Sequence, residues 1–363
     1  MANSVAYGFW DLQSLFNTRV SAAGPQRVYD AVVESAAEYS RVANALLEAE
    51  WTERTIDAQE QFELPGTGTL QPLDEFGNPI PVQPSGYYQV AYPIFSGGTA
   101  WGDDRITREL MTVEEANRNT LDAESRDKDW LLRHFLASLF TNTTYTYNDK
   151  YPVRGAKALG DITIQPLANA DSVTYKLKGA SAPATDTHFL AQANAISDSD
   201  NPFPAIYTEL NEHPSNGNRR ILCYIPTNLK SSVIGLANFV PVDDPDVVPG
   251  DATARVTNVP QPGVGDRVLG HVDNVWIIEW GFLPSGYMIA KAEGIPVVAM
   301  REIDAPALQG FFPEKFSPDG NRMITRMLRY CGFAVRRRVS ALVYRVGNGA
   351  YAIPSGYTAP LAV

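Results

Sequence analysis

The stretch from residue 55 to residue 106 constrains the fold most, because it separates two helical segments and cannot itself be helical. It is interrupted by Pro65, Gly66, Gly68, Pro72, Gly77, Pro79, Pro81 and Pro84. Near its end, Tyr88, Val90, Tyr92 and Ile94 alternate with their neighbours as in a strand. A non-helical segment of this length between two helices is rare unless it forms a functional arm or loop. We predict a projecting two-stranded hairpin with its tip around residues 74–78.

Amphipathic helices are predicted on both sides of this hairpin. From Gln26 to Glu50 apolar residues recur at three-to-four spacing. Thr112 and Glu115 form a capping-box pattern, after which a helix is predicted to run to about Thr141, roughly 43 Å at about 1.5 Å per residue. Its first half is polar and its second half carries an apolar stripe. We expect it to lie across a sheet and to protrude beyond it or meet a neighbour.

The second half of the chain mixes short strands and helices without regular alternation, which indicates the α+β class. Helices are predicted at 205–212 and 226–239. Strands are predicted at 161–165, 173–177, 220–225, 268–280, 286–290, 296–300, 322–329, 333–345 and 351–354.

Composition excludes several classes of function. Thirty basic and forty-one acidic residues give a net charge of −11. A free-standing nucleic-acid-binding protein normally has the opposite balance, so tight binding to nucleic acid is disfavoured. Two cysteines, Cys223 and Cys331, make no disulfide framework. The sequence shows neither a signal peptide nor a run of eighteen apolar residues, so we expect a soluble cytoplasmic protein without membrane contact.

The order of these elements resembles the major capsid protein of tailed bacteriophages, a fold shared with herpesvirus capsids and encapsulins. Local matches are Gly86–Ile94 to the returning strand of the E-loop, Arg220–Pro226 to a strand leading into a helix, Val275–Tyr287 to a hairpin, and Gly332–Arg336 to a closing strand. The resemblance covers nearly the whole chain, and it rests on the order of the segments.

The resemblance implies a division of the chain into four parts. These are an N-terminal arm and helix at 1–54, the E-loop hairpin at 55–106, a peripheral (P) domain at 107–200 and 311–363 with its spine helix at 112–141, and an axial (A) domain at 201–310. Two features of some relatives are missing. The sequence shows no long coiled-coil extension at the N terminus, and residues 55–106 contain no lysine for a lysine–asparagine crosslink.

The resemblance also implies a function. A major capsid protein assembles with itself, as pentamers and hexamers, into the icosahedral head that encloses packaged double-stranded DNA. Implied partners are further copies, a portal protein, scaffolding or decoration proteins, and DNA by weak non-specific contact. The protein would assemble in the host cytoplasm and reside in the virion. An encapsulin-type compartment shell is the alternative within the fold.

Candidate subunit contacts follow from exposed apolar and basic residues. The aromatic hairpin residues suit a lattice better than a monomer. Arginines 336–338 suit the carboxylates of neighbouring subunits better than DNA, and strand alternation would send Arg337 to the opposite side from the other two. The candidates are Tyr87, Tyr88, Tyr92, Phe95, Phe76, Arg336, Arg337 and Arg338.

No catalytic, cofactor-binding or metal-binding residue is predicted. The sequence has no nucleophile elbow, phosphate-binding loop or His-Glu-x-x-His motif. His134 is predicted to be structural. The acidic segment 243–251 could bind Ca²⁺, but its prolines favour a solvated loop. A glycan-acting tail protein would need paired carboxylates, and Glu279, between Trp276 and Trp280, has no evident partner acid.

Overall fold

The computed structural model describes residues 8–48, 50–63, 73, 75–78, 86–103, 110–170, 172–180, 183–242, 267–316 and 323–361. The acidic segment 243–251 and Arg322 lie outside these residues. The helices are α1 (Val20–Ala23), α2 (Pro25–Glu48), α3 (Val113–Phe140), α4 (Phe203–Asn211) and α5 (Lys230–Ile234), with 3₁₀ turns at Trp10–Leu15, Pro214–Asn216, Thr227–Leu229, Pro306–Leu308 and Arg338–Ser340.

Eighteen strands occur within the described residues. They are β1 (Thr52–Thr55), β2 (Gln59–Glu63), β3 (Tyr87–Ala91), β4 (Phe95–Asp103), β5 (Tyr145–Asp149), β6 (Gly160–Ile164), β7 (Thr174–Tyr175), β8 (Ala184–Thr185), β9 (Phe189–Gln192), β10 (Ile221–Ile225), β11 (Phe239–Pro241), β12 (Arg267–Val272), β13 (Val275–Glu279), β14 (Tyr287–Ala292), β15 (Val298–Glu302), β16 (Phe311–Phe316), β17 (Met323–Val335) and β18 (Ala341–Val346).

The first large sheet is built around β17, which is 13 residues long. Its order is β1-β15-β17-β16, and β4 also pairs with β17 in antiparallel register. Helix α2 packs on β16, and α3 packs on β17 and β4. The approach of α3 requires a glycine on β4, because a Cβ at Gly97 would lie 2.9 Å from a Trp130 ring carbon.

The second large sheet has seven strands in the order β11-β12-β13-β10-β14-β18-β9. Its central strands β10 and β14 are buried along their whole length, as expected for strands covered on both faces. Trp51 connects this sheet to α3, since its ring lies 4.9 Å from Tyr224 and 5.6 Å from Phe135.

Membership of the two sheets crosses the predicted domain boundaries. Strands β9 and β18 were assigned to the P domain but pair within the seven-stranded sheet, whereas β15 was assigned to the A domain but pairs with β17. Strand pairing depends on contacts distant in sequence, so a division at fixed residue numbers cannot follow it. The four-part division stays a prediction.

The capping box of α3 is confirmed. Thr112 Oγ1 accepts a hydrogen bond from the Glu115 amide, and Glu115 Oε2 accepts one from the Thr112 amide. Of the two alternatives expected for this helix, protrusion or contact with a neighbour, the first half does not protrude. Its inward residues are buried, and it packs against α2 of the same chain.

Polar side chains take part in this helix–helix interface beside apolar ones. Ser35 Oγ donates to Glu124 at 2.6 Å, and Tyr39 donates to Asp127 at 2.9 Å. Arg329, from β17, donates to the same Asp127 at 2.8 Å. Polar residues of α3 that the sequence would place in solvent, Glu124 and Asp127, are therefore members of a buried hydrogen-bond network.

Several predicted elements differ in detail. The helix predicted at 226–239 shrinks to a 3₁₀ turn and α5, and the strand at 268–280 divides into β12 and β13 at Asp273, which has a φ of 49°. The strand predicted at 333–345 is interrupted by the 3₁₀ turn that begins at Arg338. Residues 351–354 form no strand, and β4 was not predicted.

No helix within the described residues is both long and apolar enough to cross a membrane.

Candidate assembly surface

The base of the predicted hairpin is present. Strands β2 and β3 pair antiparallel, with Gln59 opposite Ala91 and Glu63 opposite Tyr87. They form a two-stranded sheet separate from the two large sheets. Exposed and half-buried side chains alternate along β2, and β3 becomes fully buried only at Val90 and Ala91. A two-stranded sheet is marginal in water, so this one depends on its attachment to the body.

That attachment is an apolar cluster at the root of the hairpin. Val90, Ala91 and Tyr92 pack against Ile162 and Ile164 of β6. Ala299 of β15 and Ala334 of β17 complete the cluster.

A buried ion pair holds the chain where the hairpin ends. Arg301 Nη1 donates to the backbone carbonyl of Tyr92 at 2.8 Å and to Asp149 at 3.1 Å. The side chains of Arg301 and Asp149 are both inaccessible to solvent. The Tyr92 hydroxyl donates to Glu60 of β2, and burial of the ring raises the pKa of this hydroxyl. The polar groups at the root of the hairpin thus find their hydrogen-bond partners within the same chain.

Farther from the root, aromatic side chains face solvent. Tyr87 is 62% exposed, and Phe76 at the predicted tip is 82% exposed. One position nearer the body than Tyr87, the rings of Phe62 and Tyr88 stack with centroids 5.3 Å apart. Leu73, Phe76 and Tyr87 are the large apolar side chains that are mostly exposed to solvent among the described residues of this segment.

The three consecutive arginines do not form one basic patch. The predicted reason, alternation of side chains along a strand, is wrong. The chain leaves β17 at Val335 and turns, so strand alternation does not apply. Arg336 forms ion pairs with Glu53 at 2.5 Å and Glu60 at 2.8 Å. Arg337 is 41% exposed and lies 3.7 Å from Glu53.

Arg338 contacts backbone carbonyls, whereas the two arginines before it lie close to carboxylates. Its guanidinium is buried and donates to the backbone carbonyls of Pro166, Leu167 and Asn169. It therefore fixes the loop after β6 within the subunit. Arg338 and Tyr92, which is fully buried, are not available to a neighbouring subunit.

Phe95 is half-buried on the body side of the hairpin. Its ring lies 5.0 Å from His134 and 5.7 Å from Tyr147. Burial lowers the pKa of His134 to about 4, so this imidazole is neutral at physiological pH and packs as an aromatic ring. The structural interpretation of His134 agrees with this surrounding.

The structure thus separates the eight candidate contacts into three groups. Phe76 and Tyr87 are exposed, Tyr88, Phe95, Arg336 and Arg337 are half-buried or partly paired, and Tyr92 and Arg338 are interior. One exposed apolar residue near the tip, Leu73, was not among the candidates. Its position directly after Pro72, in the Pro/Gly-rich segment of the sequence, could have signalled it.

Comparisons with known proteins bear on the fold. The sequence matches no protein-family model and no curated protein. A solved structure from Mycobacterium phage Patience superposes with a TM-score of 0.66 at 20% identity, covering 91% of each chain. The chain has the phage major capsid protein fold.

Two further solved structures match at lower TM-scores. The capsid of Ralstonia phage GP4 matches with a TM-score of 0.47 at 12% identity, covering 84% of this chain and 87% of that one. The holo-SrpI encapsulin complex from Synechococcus elongatus matches with a TM-score of 0.42 at 11% identity, covering 85% of this chain and 89% of that one.

Proposed function

We propose that this chain is the major capsid protein of a tailed bacteriophage, a shell subunit without a catalytic role. The observation that carries the proposal is the fold match to a phage structure over 91% of both chains, at a TM-score of 0.66. The match extends over nearly the whole length, so the proposal concerns the whole chain and not a shared module.

The exposed end of the hairpin supports a role in contacts between subunits. Large exposed aromatic rings on a projecting arm mark an interaction surface more often than scattered apolar residues do. Phe76 and Tyr87 are such rings, and next to Tyr87 the rings of Phe62 and Tyr88 stack on each other. We infer that a neighbouring copy covers these rings when the shell forms.

The assembly that we propose consists of pentamers and hexamers. Rings with head-to-tail contacts need two different surfaces on each subunit, one that presents an arm and one that receives it. A hairpin anchored at its root and uncovered at its end provides the first surface. Arg337, which remains 41% exposed, provides a cation for a carboxylate of the neighbour.

The charge of the chain suits a container for DNA. A net charge of −11 disfavours tight binding to phosphates. We propose that packaged double-stranded DNA makes only weak non-specific contact with the inner wall. Portal, scaffolding and decoration proteins are further proposed partners, assembled with the chain in the host cytoplasm and retained, in the case of the portal, in the virion.

An encapsulin-type shell is the second candidate, because the same fold serves both. Purified shells that contain a cargo enzyme and no nucleic acid would favour it. A glycan-acting tail protein is less well supported. Glu279, its best candidate acid, forms an ion pair with Lys230 at 2.7 Å, which lowers the pKa of this carboxyl.

Electron microscopy and light scattering of the purified full chain test the proposal. Closed rings or shells are expected for the parent protein. The double variant Phe76→Ser/Tyr87→Ser is expected to remain folded and to lose assembly, whereas Tyr87→Phe, which keeps the ring, is expected to assemble. A parent protein that stays monomeric at high concentration would overturn the proposal.

A further inference from the structure

A cluster of ionisable side chains lies away from the hairpin, where the connection before β9 meets the end of α4. Asp186 and His188 come from the connection, Glu209 from α4, and Glu212 and His213 from the residues that follow α4. Asp186, His188 and His213 are buried. The sequence predicted no metal site, and the shell function makes no use of this cluster.

We propose that Asp186, Glu212 and His213 bind a Zn²⁺ ion. One imidazole nitrogen and two carboxylate oxygens are among the ligands that zinc prefers, and three protein ligands leave a fourth position for water. The three ligand atoms all lie within 4.8 Å of one another.

The spacing of the ligand atoms agrees with a tetrahedral ion. Ligands about 2.1 Å from a tetrahedral zinc are about 3.4 Å apart. His213 Nε2 lies 2.9 Å from Asp186 Oδ2 and 3.7 Å from Glu212 Oε1, which brackets that value. The ion therefore requires only small adjustments of these side chains.

Neighbouring groups orient the ligands. His188 Nδ1 lies 3.4 Å from the same oxygen of Asp186, in the position of a side chain that orients a ligating carboxylate. The Tyr175 ring packs edge-on against both imidazoles, with centroids 5.7 Å from His188 and 6.1 Å from His213. The ligands are thus held before an ion arrives.

The charge of the cluster favours a cation. Asp186, Glu209 and Glu212 bring three carboxyls together, and in the described part of the chain no lysine or arginine forms an ion pair with any of them. A divalent cation would interact favourably with these carboxyl groups.

The cluster is accessible from one side. The side chain of Glu212 is 34% exposed, whereas those of Asp186 and His213 are almost completely buried. An ion can therefore enter past Glu212. Once bound, it would join the connection before β9 to the end of α4, two segments with no other regular pairing to each other among the described strands.

Calorimetric titration of the chelator-treated full chain with ZnCl₂ tests the site. One ion per chain is expected. Glu212→Gln, at a partly exposed position, is expected to weaken binding at least about tenfold while circular dichroism stays unchanged. His271→Gln and Glu114→Gln, both outside the cluster, serve as matched controls and are expected to bind as the parent does.

A second readout does not depend on comparing variants. Co²⁺ in place of Zn²⁺ is expected to give the visible absorption of a tetrahedral site, reduced in Glu212→Gln. The proposal is overturned if the parent takes up no zinc at micromolar concentration, since the close pair Asp186–His213 is then a hydrogen bond only. It is also overturned if Glu212→Gln binds zinc as tightly as the parent. Neither result depends on shell assembly.

Discussion

The seven-stranded sheet and the hairpin differ in how far their apolar side chains are buried by the rest of the chain. Strands β10 and β14 are buried on both faces by elements of the same chain. Strands β2 and β3 are fully buried only at the root, Tyr87 is exposed at the far end of β3, and Phe76 is exposed as well. The sheet is complete in one subunit, whereas the hairpin has an uncovered apolar surface.

The difference indicates which part of the molecule stabilises the subunit and which part is free to contact another. Substitutions in the sheet should change the free energy of unfolding and leave the contact surface intact. Substitutions at the exposed end of the hairpin should do the reverse. The root of the hairpin, with its buried ion pair, should affect both.

The largest effect on stability is expected at that root. Arg301→Ala leaves the buried Asp149 carboxylate without its partner and should lower the free energy of unfolding by about 3–5 kcal/mol. Urea unfolding measures it. Arg337→Ala, at a partly exposed arginine, is the matched control and should change stability by less than about 0.5 kcal/mol. Equal effects in the two variants would mean that the buried pair does not anchor the hairpin.

A cavity in the seven-stranded sheet should lower the free energy of unfolding slightly less. Leu222→Ala removes a fully buried side chain from β10 and should cost about 2–4 kcal/mol. Because its neighbours belong to the same chain, the variant should still assemble at temperatures where it is folded. Urea unfolding and light scattering of the same sample check the two parts. Loss of assembly in a fully folded variant would contradict the separation of roles.

The interface between α2 and α3 sharpens the comparison, because it is buried like the sheet but includes the carboxyl groups of Glu124 and Asp127. Burial raises the pKa of Glu124 from its ordinary value near 4.5 to about 7, and one of its oxygens lacks a hydrogen-bond partner among the described residues. Between these two pH values the unfolded chain has lost a proton that the folded chain keeps. The carboxyl therefore lowers stability progressively as pH rises through this window.

Glu124→Gln should remove this cost. The variant should gain about 1 kcal/mol or less over the parent at pH 5 and up to about 3 kcal/mol at pH 8. Urea unfolding at both pH values measures the gain. Glu114→Gln, on the exposed side of the same helix, should show no such dependence. A gain for Glu124→Gln that is the same at pH 5 and pH 8 would contradict a protonated Glu124 in the folded protein.

Local sequence patterns predicted the elements that depend on local contacts. The capping box at Thr112, the helix at Pro25–Glu48 and the pairing at the hairpin base follow from periodicity and turn residues. The partners of Glu124 and Arg338 could not be predicted, because they come from residues far away in the chain. The same limit explains why sheet membership crossed the predicted domains.

The candidate contacts show a similar division. The sequence identified aromatic residues on the hairpin but could not show that Tyr87 is exposed and Tyr92 buried. Alternation along a strand indicates which side chains share a face, and it does not indicate where the strand enters the body of the protein. The cluster around Asp186 was missed because its histidines were considered one at a time. The sequence Glu209-Leu-Asn-Glu212-His213, at the end of a predicted helix, contained a signal.

The smallest effect on stability is expected at the exposed end of the hairpin. Phe76→Ser and Tyr87→Ser, singly, should change the free energy of unfolding by no more than about 0.5 kcal/mol. Each should nevertheless lower the fraction of assembled protein in light scattering, with Tyr87→Phe close to the parent. A single variant that unfolds readily would show that its ring is covered within its own chain.

Site-specific crosslinking tests most directly whether the hairpin contacts a second copy. Both native cysteines, Cys223 and Cys331, are buried, so Tyr87→Cys introduces an accessible thiol that can carry a photoreactive group. Irradiation of assembled protein should produce covalent dimers in which residue 87 of one chain is joined to a surface residue of another. Assembled particles in which the group at residue 87 reacts only within its own chain would contradict the account.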